Sequence, residues 1–455
     1  MRPVTLGAIA RWTGGRLIGA DATVAAVATD TRTLGPGALF VALRGERFDA
    51  HAFIAAAEVA GAAAVMVSRP VATALPQVHV ADTLEALGEL AAGLQHGRPA
   101  VVLALTGSNG KTSVKSLLLG ILERVGPTHA SPGNLNNEIG LPLAVIGAPE
   151  EARFAIYEMG AGGPGDIAYL CSIVTPQVAM VNNVAAAHIE RLGSLVGIAG
   201  TKAAIYEALP DDGIAVVNAD DAFAPFFLQR IGGRRVLRYG IEQDADVRAR
   251  GVVTGADGSR FELLTPVGRA LLMLPLPGRH NVLNALAAAT LALAAGADFE
   301  AIVAGLEAAR PVKGRQVAHR LANGSVLIDD SYNANPGSLT AAIATLAVGA
   351  GPAWLVLGDM RELGPEAAAL HAAAGTLAKQ AGLAALWTAG ELAAEASRAF
   401  GEGGRHFADQ ATLATALREA LRASPGLRCL VKGSRGSAMD KVVASVLAGE
   451  GADAA

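Results

Sequence analysis

The sequence predicts an α/β protein with mostly parallel sheets, divided into three blocks. Three observations lead there. At 455 residues the chain exceeds what one ordinary hydrophobic core supports, and length alone points to about three domains. Short, wholly apolar runs alternate with longer helical stretches, the pattern of strands buried on both faces and wrapped by helices. Polar clusters follow directly after such runs, which is where open parallel sheets bind ligands.

The first block, residues 1–81, holds a helix-like segment at Leu6–Trp12 and a brief strand at 38–43. It reads as a small α/β unit. The second block, 82–312, opens on Asp82-Thr83-Leu84-Glu85, a helix start. Its apolar runs at 101–105, 154–157, 178–181 and 214–217 suit buried strands. The stretch 282–295 is hydrophobic but interrupted by Asn284 and Thr290, so it reads as a buried helix and not as a membrane span. The third block, 313–455, follows Arg310-Pro311 and repeats the alternation with strands at 326–328, 354–357, 384–387 and 429–431.

Composition narrows the function classes. Hydrophobic residues make up 52% and charged residues 17%, ample for sizeable cores, and much of the apolar content is alanine, which favours helix. A net charge of −4 argues against a nucleic-acid binder, which would show a basic face. The start lacks a basic end followed by an apolar block, so no signal peptide is expected. The two cysteines, Cys171 and Cys429, lie far apart and read as buried thiols in a reducing compartment. A cytoplasmic protein without membrane insertion is the expectation.

The sharpest motif is Thr106-Gly107-Ser108-Asn109-Gly110-Lys111-Thr112-Ser113, set between a strand and the helical run 114–123. Glycines let the backbone turn so that its N–H groups face phosphate oxygens at the positive end of a helix. Lys111 would bring a charge to the terminal phosphates and Thr112 a hydroxyl to magnesium. An isolated Gly-Lys-Thr is more often a solvated turn; strand before and helix after favour nucleotide phosphate. The loop by itself does not separate GTPase, ATPase and ligase, although no Asn-Lys-x-Asp guanine reader is present.

Phosphoryl transfer needs its charge neutralised through oxygen ligands. Glu158 ends the strand at 154–157, where a carboxylate could meet the phosphate loop. His188 follows a strand at 179–184, and a single histidine is more often structural than catalytic. Lys202 begins a helix-like segment at 202–209, a place where a lysine is normally solvated.

Further segments complete the pattern: Gly133-Asn134-Leu135-Asn136-Asn137-Glu138-Ile139-Gly140, Asn182-Asn183-Val184-Ala185-Ala186-Ala187-His188, Val217-Asn218-Ala219-Asp220-Asp221, Gly278-Arg279-His280-Asn281, Asp329-Asp330-Ser331-Tyr332-Asn333-Ala334-Asn335-Pro336 and Lys432-Gly433-Ser434-Arg435. With the short phosphate loop, they make the chain resemble the Mur ligase family over nearly its whole length. The resemblance implies an amino-terminal uridine-nucleotide domain, a central ATPase and a carboxyl-terminal Rossmann-like domain for the incoming amine and part of ATP. It places Thr31, Arg32, Arg44, Arg47 and Asp49 at the uridine nucleotide. Asn134, Asn136 and Asn137 fall at the muramoyl-peptide acceptor, and Asn333 and Asn335 also fall on the substrate side.

By the same resemblance His280 and Asn281 flank the adenine, while Arg315 and Asp330 reach ATP from neighbouring domains. Lys202 becomes a carbamylated lysine that helps position magnesium beside His188, making a two-ion site with Thr112 and Glu158. The Asp-Ser-Tyr-Asn-Ala-Asn-Pro run points to the branch that adds D-alanyl-D-alanine to UDP-N-acetylmuramoyl-tripeptide, working as a monomer. Gly162-Gly163 stand where the family commonly carries Asn-His, and 436–441 follow it loosely. The rival readings are another amino-acid-adding Mur enzyme, a folylpolyglutamate synthase and, from a different class, a nucleotide-driven switch.

Overall fold

The structure, a computed structural model, describes residues 1–45, 48–186 and 189–451. Two expected site residues, Arg47 and His188, lie outside the described residues. Among the described residues the strands form sheets of two, five, nine and six strands, and no helix is long and apolar enough to cross a membrane.

In the amino-terminal part the helix Leu6–Trp12 falls where its pattern predicts it, with the Thr5 hydroxyl accepting from Ala8 N at 3.2 Å. The five-stranded sheet runs in the order Arg16–Ile18, Gln77–His79, Ala64–Val67, Leu39–Val41, Val27–Ala28. The helix Thr83–Gln95 begins where the sequence places it. The Asp82 carboxylate caps it by accepting from Leu84 N and Glu85 N, which satisfies two otherwise orphaned amides.

The nine-stranded sheet positions the site. Its parallel centre is the strand Val101–Thr106, flanked by Phe154–Glu158 and Val178–Val181. These strands are apolar on both faces because each face is covered. The helices Lys111–Leu122 and Arg279–Ala294 pack one face through Leu118, Ile121, Ala285 and Leu286. On the other face Tyr157, Tyr206 and Leu90 share a core with the amino-terminal unit. The sheet ends in an antiparallel meander, Val247–Thr254, Ser259–Thr265 and Gly268–Leu274, beyond the strands expected from the sequence.

The six-stranded carboxyl-terminal sheet runs Val317–Arg320, Val326–Asp330, Arg428–Lys432, Ala353–Gly358, Ala385–Ala389, Gly404–Phe407. It is parallel except for its first pair. Both cysteines are buried free thiols. One expectation fails. Lys202 does not start a helix; it lies in the second half of Leu195–Glu207, which Ser194 caps, and it is 3% exposed.

Candidate active site

The strand Val101–Thr106 leads into the loop Gly107–Gly110, and the helix begins at Lys111. Gly110 sits at φ 81, and a Cβ there would lie 2.4 Å from Asn284 Oδ1 and 2.5 Å from Asn182 Nδ2. Conformation and space both demand glycine at this position. The loop is braced by the residues that follow the strand Val178–Val181. Ser108 N donates to Asn183 O at 3.0 Å and Asn109 N to Asn183 Oδ1 at 2.9 Å. Asn109 O in turn accepts from Asn182 Nδ2 at 2.9 Å and Asn183 Nδ2 at 3.1 Å. The amides at the start of the helix therefore face the cleft from a fixed frame, the arrangement that binds anions. Lys111 folds over the loop, its Nζ donating to Gly107 O at 2.7 Å. Burial holds its ammonium below the ordinary lysine range, against the pull of Glu158.

Glu158 ends its strand beside Leu105 and is 2% exposed. Its Oε2 accepts from Thr112 Oγ1 at 3.0 Å and lies 3.1 Å from Lys115 Nζ, while Oε1 accepts from Asn136 Nδ2 at 2.9 Å. Burial pushes this carboxyl up, but Lys115, Lys111 and the Asn136 amide outweigh it and leave the group below the usual carboxylate range. Lys115 Nζ also donates to Ser131 O and Gly133 O at 2.9 Å each. One buried ammonium thus ties the phosphate-loop helix to the segment that carries Asn136 and Asn137.

The carboxyl-terminal part reaches into the same place. Arg315 Nη2 donates to Thr112 Oγ1 at 2.9 Å, and its guanidinium lies 4.5 Å from the Tyr332 ring centre. Asn335 caps the helix Pro336–Ala347 and also donates through Nδ2 to Asn109 Oδ1 at 2.7 Å. Asp330 pairs with Lys432 at 2.7 Å; burial raises its carboxyl, and Lys432 only partly offsets this. Lys432 Nζ also donates to Asn333 O at 3.0 Å. Burial, with the charge of Lys432 added, holds the His280 imidazole down to about 4.

Lys111, Asn136, Glu158, His280, Arg315, Asp330, Asn335 and Lys432 line a cleft of about 1120 Å³. Of the residues singled out from sequence, it collects Ser108 to Lys111, Ser113, Asn136, Asn137, Glu158, His280, Asn281, Arg315, Asp330, Asn333 and Asn335. Lys202 is buried close enough to Lys111 for that charge to act with burial in bringing its amine down to about 7. Asn134 is exposed. Thr31, Arg32, Arg44 and Asp49 lie in the amino-terminal part. There Arg32 is paired with Asp30 at 2.5 Å, the Asp49 carboxylate accepts from His51 and Arg69, and the Asp49 backbone pairs with that of Arg44 in an isolated antiparallel bridge.

Sequence reasoning missed Lys115, Lys432 and Tyr332 as members of the site. Lys115 carries a signal, since it stands one helical turn after Lys111 and so shares its face. Lys432 ends a buried strand, as Glu158 does, and the same argument could have found it.

Three family models match the chain: "Mur ligase family, catalytic domain" over 23–95, "Mur ligase middle domain" over 105–292 and "Mur ligase, glutamate ligase domain" over 314–435. A UDP-N-acetylmuramoyl-tripeptide–D-alanyl-D-alanine ligase of Escherichia coli K12 is 46% identical over 97% of this chain and 98% of its own length. The enzyme of that name from Bacillus subtilis is 35% identical over 92% and 93%. Among solved structures, MurF from Acinetobacter baumannii superposes with a TM-score of 0.94 at 34% identity, covering 98% of this chain and 99% of that one. A second structure from that organism is described as a UDP-N-acetylmuramoylalanyl-D-glutamyl-2,6-diaminopimelate–D-alanyl-D-alanyl ligase, with a TM-score of 0.90, 34% identity and the same coverage. MurF ligase from Thermotoga maritima, in complex with ADP, gives 0.83 at 26% identity over 92% and 96%.

Proposed function

Because the chain belongs to the Mur ligase family, we propose that its cleft joins D-alanyl-D-alanine to UDP-N-acetylmuramoyl-tripeptide at the expense of ATP. The protein is an ATP-dependent ligase that forms a C–N bond and supplies the pentapeptide precursor of peptidoglycan. Its work is cytoplasmic, and one chain suffices, because its own domains complete the cleft. The observation that carries this reading is the meeting of Thr112, Glu158 and Arg315 on one point from two domains.

A carboxylate resists attack by an amine because its charge repels the nucleophile and it has no leaving group. Transfer of the γ-phosphoryl group from ATP to the acceptor carboxylate gives an acyl phosphate and ADP. The neutral amine of D-alanyl-D-alanine then attacks the acyl carbon, and phosphate leaves from the tetrahedral intermediate. Lys111 and the amides of its helix hold the triphosphate, and Arg315 meets it from the far side. Such positioning and charge stabilisation supply most of the rate in phosphoryl transfer. Asn136 and Asn137 line the acceptor side, so the peptide carboxylate comes to rest beside Glu158. Arg315 and Asn335 bond across the domains, and closing them excludes the water that would hydrolyse the acyl phosphate.

Magnesium fits the donors present. The Thr112 hydroxyl and the Glu158 carboxylate are hard oxygen ligands 3.0 Å apart. Among the described residues no group of three His, Cys, Asp or Glu surrounds them, as befits an ion held largely by substrate phosphates. When bound it neutralises charge on the transferring group. Lys202, with its amine near neutrality at pH 7, suits carbamylation. The free amine adds to carbon dioxide and releases a proton, and a cation becomes an anionic oxygen ligand.

The test is direct. Supplied with ATP, magnesium, the nucleotide-linked tripeptide and D-alanyl-D-alanine, the protein should yield the pentapeptide product by mass, with matching ADP and phosphate. ATP bound but not consumed would support a switch instead, and product formed only with a single amino acid would point to another ligase.

A further inference from the structure

The antiparallel meander 247–274 has a second face that the catalytic core does not use. Phe261, Leu263, Leu272 and Leu274 turn inward to the core shared with the helix Arg279–Ala294. Alternation sends the residues between them to the opposite side. There the strand register sets Val253, Arg260 and Met273 in one row and Arg250, Glu262 and Leu271 in the next, with Arg269 beyond Leu271 on the last strand. Val253, Leu271 and Met273 are more than half exposed, as is Val267 at the turn between the last two strands. Four of the ten exposed large hydrophobic side chains among the described residues thus fall within 253–273.

The same face is basic on a chain whose net charge is −4. Between 247 and 274 stand four arginines against Asp257 and Glu262, and Asp257 is already paired with Arg320. Arg248 is paired with Asp244. Arg250, Arg260 and Arg269 are exposed, and among the described residues they have no hydrogen-bond or ion-pair partner. A second copy docked through this patch would set its arginines against their own counterparts, so the charge calls for an anionic occupant. Nothing in 247–274 lines the cleft.

We propose that this face rests on the surface of an anionic phospholipid bilayer, holding the protein at the membrane without any segment crossing it. Guanidinium groups take lipid phosphates by charge-assisted hydrogen bonds, and their apolar stems lie along the surface. Val253, Leu271 and Met273 enter the boundary between headgroups and acyl chains. Apolar and cationic side chains alternate here at single-residue spacing. A fluid lipid surface meets that mixture at every point, whereas an acidic protein would answer the arginines and leave the apolar side chains against charge.

Sedimentation of the full chain with vesicles tests this, using phosphatidylcholine alone or an equal mixture with phosphatidylglycerol. The native chain should bind the mixed vesicles and not the neutral ones, and added salt should weaken binding. Arg250→Gln combined with Arg260→Gln should weaken it about thirtyfold, about fivefold for each arginine. Leu271→Ser combined with Met273→Ser should weaken it at high salt as well as low, because apolar contact is not screened. Both double variants should keep native turnover and thermal midpoint, which separates a lost surface from a lost fold. No binding to the mixed vesicles at low salt overturns the proposal, as does equal binding by the native chain and both variants. Vesicles ignored while the chain dimerises, with Leu271→Ser and Met273→Ser abolishing the dimer, would overturn it in favour of a second copy. Vesicles ignored while polyglutamate is bound would overturn it in favour of an acidic protein.

Discussion

The two ends of the cleft are built on opposite plans. At the nucleotide end Asn109, Thr112, Glu158 and Lys115 are already tied to protein partners. At the end proposed for the acceptor, Arg191 and Glu138 line the cleft without a hydrogen-bond or ion-pair partner among the described residues. A triphosphate presents the same charges each time, so a rigid, preorganised frame lowers the barrier without reorganisation. A peptide presents chemistry that differs between substrates, and bare charges let the substrate complete the wall. Catalytic power should therefore fail at the first end and selectivity at the second.

The largest effect should come from Lys111→Ala. On the proposed reading its ammonium carries charge to the phosphates, and among the described residues it hydrogen-bonds Gly107 O alone. Phosphate release should fall by roughly three orders of magnitude or more while the thermal midpoint stays near that of the native chain. Near-normal turnover would break the assignment of the loop. Lys115→Met attacks the frame instead, because it strands the buried Glu158 carboxylate and frees Ser131 O and Gly133 O. Urea denaturation should show a loss of about 3 kcal/mol. An unchanged midpoint would mean that the frame is not held by this pair.

Lys202→Ala should lower turnover on the order of tenfold to a hundredfold, the range for groups that orient metal ligands, with partial recovery on adding short carboxylates such as acetate. Recovery would show that the missing element is an anionic oxygen. A loss without recovery would leave Lys202 a packing role only, and no loss at all would remove it from the site.

What the sequence disclosed follows the same division. The phosphate loop is legible because its constraints are local: a buried strand, a glycine at φ 81 and a helix start, all within a dozen residues. Glu158 is legible because the strand register that sets it beside Leu105 is implied by the apolar run before it. Lys202 was misplaced for a physical reason. Gly197 and Gly200 dilute the pattern of its helix, so the start capped by Ser194 is hidden and a buried lysine passes for a terminal one. The antiparallel meander at 247–274 is hard to read because Arg248, Arg250, Arg260 and Glu262 break the apolar pattern of its first two strands, while in the third the apolar Leu271 and Met273 face outward. Arg191 has no signal: only the fold brings it beside Gly162, 29 residues earlier in the chain.

The smallest effect probes how far the frame extends. His280 lies on the cleft wall among Lys111, Arg315 and Lys432, and burial with the charge of Lys432 holds its imidazole at about 4. The unfolded chain takes up a proton near the ordinary value of about 6.5, whereas the folded one resists until about 4. Above 6.5 both states are neutral and the folded state keeps its full stability; as pH falls from there towards 4, the unfolded state gains protons first and stability drains away. His280→Gln removes this linkage. Between pH 7.5 and 5 the native chain should therefore lose on the order of 1–2 kcal/mol more than the variant, read from urea midpoints at the two pH values. Parallel losses would mean that the imidazole is free to charge, and that the nucleotide end is less rigidly specified than the bonds around Asn109 imply.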